Sequence, residues 1–219
     1  MGISELWATY GGMYLQALLT TWAMTAVSYV IAMALAVLIT VMRVCPIRPL
    51  RVLGDFYVQV FRNIAGICLL IIIVYALPNL GLTLPYRTCV IVATVLLVSA
   101  FGSENFMSGI NTIGIGQIEA ARSIGLGFSQ TLRLVVIPQA LRSAVLPMTN
   151  LAIACLLTTA IGSQVPLSPP ELTGLVSYIN TRTTGGIATF LISALGYVGT
   201  ALVIGFVGNR IDRKVRILR

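Results

Sequence analysis

Residues 6–42 contain no charged side chain. A run this long cannot be solvated as a surface helix, whereas about 20 apolar residues suffice to cross the hydrocarbon layer of a bilayer. That single feature points to a chain dissolved in lipid. Composition agrees: charged residues are 9% of the 219 positions and the AVILMFWYC set is 58%. A soluble domain carries about 25% charge, and a disordered chain is polar and charge-rich, so both classes are excluded. Histidine is absent and the acids number six. An intramembrane enzyme would need a nucleophile with its base, or a metal site, and the acids here are single and scattered.

Charge-free stretches place about five spans, near residues 12–41, 55–77, 86–103, 143–161 and 186–207 of one transmembrane domain. The second carries Arg62 in its first half, and its apolar end stops at the helix breaker Pro78. Lys and Arg set the orientation by the positive-inside rule. Arg43, Arg48 and Arg51 follow the first span, Arg122, Arg133 and Arg142 lie between the third and fourth, and five more occupy the tail from Arg210 to Arg219. Only Arg87 and Arg182 stand on the other side. Eleven against two puts the N-terminus outside and the C-terminus inside. The net charge of +8 is then a consequence of topology, and no nucleic-acid partner is needed to explain it. The residues ahead of the first apolar run hold Glu5 and no basic n-region, so the first span is expected to anchor the chain rather than be cleaved. Cys45, Cys68, Cys89 and Cys155 form no CxxC pair; without histidine they read as small apolar packing and not as metal ligands.

Residues 104–142 are too polar and glycine-rich to cross the membrane. Within them, residues 117–124 read as a short helix closed by Gly125, which suits a left-handed C-terminal cap. A second helix is expected after Ser129, a good N-cap, running to Pro138. Two short helices about a glycine turn make a compact knob, and small Ala120 and Ala121 let another surface come close. An amphipathic loop lying on the membrane is the plainer alternative, but such a helix carries more Lys and Arg.

The sequence Glu119-Ala120-Ala121, three residues, Gly125, nine residues, then Val135, Ile137 and Pro138 resembles the EAA loop of permease subunits in bacterial ABC importers. The longer stretches from Gly116 to Gly125 and from Val136 to Arg142 resemble the polar amino-acid branch, as does Phe61-Arg62-Asn63. The resemblance implies an all-α, multi-pass protein of the bacterial inner membrane with the type I importer fold. It also implies partners: a dimer of cytoplasmic ATPases, a second permease chain and an extracytoplasmic substrate-binding protein. Glu119, Ala120, Ala121, Ser123 and Gly125 would form the helix and turn that seat in the ATPase. No Gly-x-x-x-x-Gly-Lys-Ser/Thr loop occurs, so ATP and Mg belong to that partner and the chain itself is a transport subunit with no cofactor. A channel-like or scaffold subunit is the alternative, though a channel has no need of an ATPase dock.

Polar residues within spans are the candidates for a substrate pathway, because ionisable groups there usually face a cavity or the bundle interior. Arg62, with Asn63 beside it, would bind a substrate carboxylate, pair across the permease interface, or snorkel to the headgroups. Asn150 and Thr158 are eight residues apart and share a helix face; with Thr159 they would line a cavity or make interhelical hydrogen bonds. Glu104 is expected to form a salt bridge to the EAA loop, or else to touch substrate. Pro170 and Glu171, in the proline-rich outer segment that resembles the family's Pro-Glu-Leu-Thr element, would dock the binding protein or belong to a lid helix. The chain departs from the family where Asn150-Leu151 replaces Asn-Glu, where Leu157-Thr158-Thr159-Ala160 replaces Lys-Asp-Thr-Ser, and where Ile64-Ala65 replaces Thr-Pro. Those departures imply a heterodimer in which the partner permease supplies further ligands. Acidic or amide amino acids are the expected cargo, since the spans offer Arg62 and no acid away from their boundaries.

Overall fold

The computed structural model describes residues 3–183 and 186–215, and the described chain is helical with no strand. Arg216 and Arg219 of the basic tail, and Thr184 and Gly185 at the end of the proline-rich segment, lie outside the described residues. Four helices are long and apolar enough to span a bilayer, and five if one bent pair counts as a single span.

Helix α1 (Ile3–Val44) is one continuous rod, longer at both ends than residues 12–41, because nothing in that run breaks a helix. Its inner face is lined with small residues: Ala17, Thr21, Ser28, Ala32 and Ala36 are fully buried. Without a hydrophobic drive between helices in lipid, close backbone approach and hydroxyl bonds hold such a bundle together. Thr21, Thr25 and Thr40 each return their hydroxyl to the carbonyl four residues back, which removes an unpaired donor from the lipid phase.

The second span is not the single helix expected over residues 55–77. It is two helices, α2 (Arg48–Asn63) and α3 (Gly66–Ile71, prolonged by a wide π turn Ile72–Ala76), bent by 103° at Ile64 and Ala65. Both residues of the break are extended, with ψ of 137° and 132°. α4 (Tyr86–Asn111) overshoots residue 103 by two turns and carries its C-terminus toward the loop expected at 104–142.

That loop holds two elements. α5 (Ile115–Ser123) is the short helix expected. The second helix departs from expectation at both ends. It starts earlier, as α6 (Phe128–Thr131) capped by Gly127, and it does not stop at Pro138. A π turn (Leu132–Val136) leads straight into α7 (Ile137–Thr158), giving an unbroken helical stretch Phe128–Gln164. A proline ring clashes with the carbonyl four residues back and offers no N–H; the widened turn just ahead makes room for it. The outer segment folds as α8 (Leu172–Asn180), and α9 (Gly186–Val215) completes the bundle. The core lies where α1, α4 and α7 meet, around Ala32, Val95, Val98, Leu151 and Cys155.

Candidate functional site

At the arginine-rich end of the bundle, α5 ends as its sequence requires. Gly125 adopts φ 84°, a left-handed conformation open to glycine at little cost. The N–H of Leu126 donates to the carbonyl of Ala121 at 3.1 Å, and that of Gly125 to Arg122 at 2.9 Å, the paired bonds of a Schellman cap. The knob has two faces. Glu119, Ala120, Ser123 and Gly125 are exposed. Ala121 is buried and points inward, so its smallness serves packing within the chain. Ser123 returns its hydroxyl to the carbonyl of Glu119 at 2.9 Å. Ile115 and Ile124 flank the exposed face at 74% and 78% exposure, an apolar pair that lipid does not cover if the knob stands clear of the membrane. Gln117 and Gln139 are bonded at 2.7 Å, tying α5 to α7.

Deeper in the bundle, an ion-pair chain joins α1, α2 and α4. Arg43 Nε donates to Asp55 Oδ1 at 2.8 Å, a second nitrogen reaches Glu104 Oε1 at 2.9 Å, and the third donates to Ser103 Oγ at 3.2 Å. The other oxygen of Glu104 faces Arg62 at 3.6 Å. Asp55 and Arg62 are seven residues apart, two turns of α2, and so share the face of α2 that carries the ion pairs, Asp55 meeting α1 and Arg62 meeting α4. The close approach of α1 and α2 rests on Gly54, where a Cβ would come within 2.8 Å of Arg43 Cγ. Glu104 was expected to bridge to the EAA loop; it pairs instead with Arg43 and Arg62, because it lies about two turns short of the C-terminus of α4. Sequence reasoning assigned Arg43 to topology alone. The signal it passed over is Asp55, an acid at the edge of an apolar stretch, within reach of an arginine across one tight turn.

Arg62 also lines a cavity of about 410 Å³ between the α2–α3 break, α4 and α7, with Phe101, Leu151, Ala154 and Thr158 on its walls. Thr158 is thus brought to Arg62. The other residues expected beside them are not: Thr159 is buried and bonded to the carbonyl of Leu156, Asn150 is exposed away from this lining, and Asn63 turns back to the carbonyl of Gln59.

At the opposite end, Glu171 is fully buried. It caps α8, accepting from the N–H groups of Thr173 and Gly174 at 2.6 Å each and from the Tyr197 hydroxyl at 3.0 Å. Burial pushes its pKa up, against these donors, which hold it down. Leu172 anchors the same turn, its N–H bonded to Thr21 of α1 and its carbonyl to Ser193 of α9. The carboxylate is therefore enclosed within its own chain, while Pro170 beside it is half-buried.

Comparison with known proteins places these features in a family. A model for the binding-protein-dependent transport system inner membrane component matches residues 44–217. The glutamate transport system permease protein GluC of Corynebacterium efficiens is 33% identical, over 98% of this chain and 99% of its own. The probable glutamine ABC transporter permease protein GlnP of Bacillus subtilis is 34% identical over 71% of this chain and 72% of its own. Among solved structures, an amino acid ABC transporter crystallised with histidines superposes with a TM-score of 0.91 at 25% identity, over 98% of this chain and 99% of that one.

Proposed function

The chain belongs to the inner membrane components of binding-protein-dependent transport systems, and on that premise we propose that it is the permease subunit of an ATP-driven importer of acidic or amide amino acids. The observation that carries the substrate class is end-to-end similarity to a glutamate permease, supported by an arginine on the wall of a half-open pocket between α2, α4 and α7. The arginine-rich end is cytoplasmic, and the exposed face of α5 seats in an ATPase. Glu119 faces basic groups there, Ala120 admits close contact, and Gly125 turns the chain back toward α7. ATP and Mg are bound by that ATPase dimer. A second permease chain completes the pathway as a heterodimer, and a binding protein delivers substrate at the proline-rich outer segment around Pro170. Glu171 serves that surface from beneath by holding α8 in place.

The reading predicts that the complex purified through a tag on this chain, reconstituted in liposomes with a binding protein, accumulates radiolabelled L-glutamate or L-glutamine only when ATP is supplied to the ATPase. Accumulation without ATP would favour the channel-like alternative.

A further inference from the structure

The two arginines of the ion-pair chain are held very differently. Arg43 is held on every nitrogen: all three have a partner at 3.2 Å or less, and its side chain is 12% exposed. Among the described residues Arg62 has one ion-pair partner, Glu104 at 3.6 Å, with no hydrogen bond between them, and its side chain is 38% exposed at the cavity wall. Glu104 sits between them with one oxygen gripped by Arg43 and the other only facing Arg62. A carboxylate so anchored cannot follow Arg62 when that side chain moves. The guanidinium carries donors in a fixed fork that fits one carboxylate bidentately, and Glu104 leaves most of that fork unused.

We infer that Glu104 is a fixed counter-ion that competes with the substrate for Arg62. A substrate carboxylate entering the cavity takes the free fork of Arg62, and Glu104, within a small movement of hydrogen-bond distance, takes the guanidinium back and expels the substrate. Arg43 is the positioning residue that pins Glu104 in place. The inference rests on the importer reading and names the chemistry recognised at that site, a carboxylate. It also accounts for why an arginine can stand in a transport path without trapping an anion: its affinity is offset by a competitor built into α4.

The two roles available to Glu104 differ in sign. As a competitor, its removal tightens substrate binding and slows release. As a merely structural pair, its removal loosens the bundle and weakens binding. In the reconstituted complex, Glu104→Gln is expected to lower the KM for ATP-dependent uptake of L-glutamate or L-glutamine, whichever the wild type accumulates, by roughly threefold to tenfold and to lower Vmax with it. In an Arg62→Gln background the same substitution should leave KM unchanged, since it acts only through the guanidinium. Should Glu104→Gln fail to accumulate in the membrane, Glu104→Asp keeps the charge but, held by Arg43, draws it back from Arg62 and should shift KM in the same direction. An unchanged or raised KM, or an equal shift with Arg62 replaced, overturns the inference. Wild-type complex that transports neither amino acid removes the importer reading, and this inference with it.

Discussion

At the scale of single residues, the family motif and the physics of the backbone meet at Gly125. Its φ of 84° is costly for any residue with a Cβ, yet a Cβ placed there meets no atom within 4 Å. The cost of substitution is therefore backbone strain alone, about 1–2 kcal/mol for a non-glycine residue in the left-handed region and more for a β-branched one. Gly125→Val should leave insertion and bundle packing intact while re-aiming α5 relative to α6. The expected outcome is normal amounts of chain in the membrane, with loss of most ATPase co-purification and uptake; Gly125→Asn, which tolerates the same conformation, should retain both. Normal transport by the valine variant would remove α5 from the coupling path. This residue was legible in the sequence because its requirement is local. Ala121 was not: whether an alanine faces out to a partner or in to its own chain depends on what lies beneath, here the turn before α7.

At the scale of elements, what could be read from sequence was the position of apolar stretches, and what could not was where a helix bends or continues. Charge-free runs place α1, α4 and α9 because a bilayer demands them. The α2–α3 break at Ile64 and Ala65 carries no Pro or Gly at the bend itself, so no local rule announces it; the ion pairs on one side and the apolar α3 on the other set it. Pro138 misleads in the opposite direction, since a π turn absorbs it. α8 shows an element held by one buried acid. Replacing Glu171 by Gln keeps an acceptor at the cap but removes the charge, whereas Ala removes the cap at a cost of about 1 kcal/mol. Burial raises the pKa of Glu171 above its unfolded value, so the neutral form is favoured by folding. Its contribution to stability is then fully present below the unfolded pKa and declines as pH rises through the folded value. Melting temperatures of the detergent-solubilised chain should show wild type losing ground to Glu171→Gln as pH is raised from the acid side of the carboxylate range toward neutrality. A gap that widens in favour of wild type over that interval would mean that the three donors outweigh burial.

At the scale of the whole molecule, the disposition of charge decides how the fold sits in its membrane. The scarcity of charge made the chain legible as a membrane protein, and the end of the bundle that carries Arg43, Arg48, Arg51, Arg122, Arg133, Arg142, Arg210, Arg213 and Lys214 also carries the α5 knob. Only Arg87 and Arg182 among the described basic residues belong to the other end, with the proline-rich segment and α8. Basic residues in short loops are retained on the cytoplasmic side, so one asymmetry predicts the placement of both ends at once: on the proposed importer reading the knob would face the compartment that holds ATP, and α8 the compartment from which substrate arrives. In that orientation the ion-pair chain of Arg43, Asp55, Glu104 and Arg62 would lie toward the cytoplasmic side, where a competitor for the substrate's carboxylate would act on release rather than on capture. This orientation is open to direct measurement. In a cysteine-free background, Gln130→Cys in α6, beside α5, should react with a membrane-impermeant maleimide only after the cells are permeabilised. Ser168→Cys in the outer segment should react in intact cells. Both positions are exposed, so failure of labelling reflects the side of the membrane and not burial. The reverse pattern would invert the molecule and place the knob outside, away from any ATPase, and the importer mechanism would fall with it.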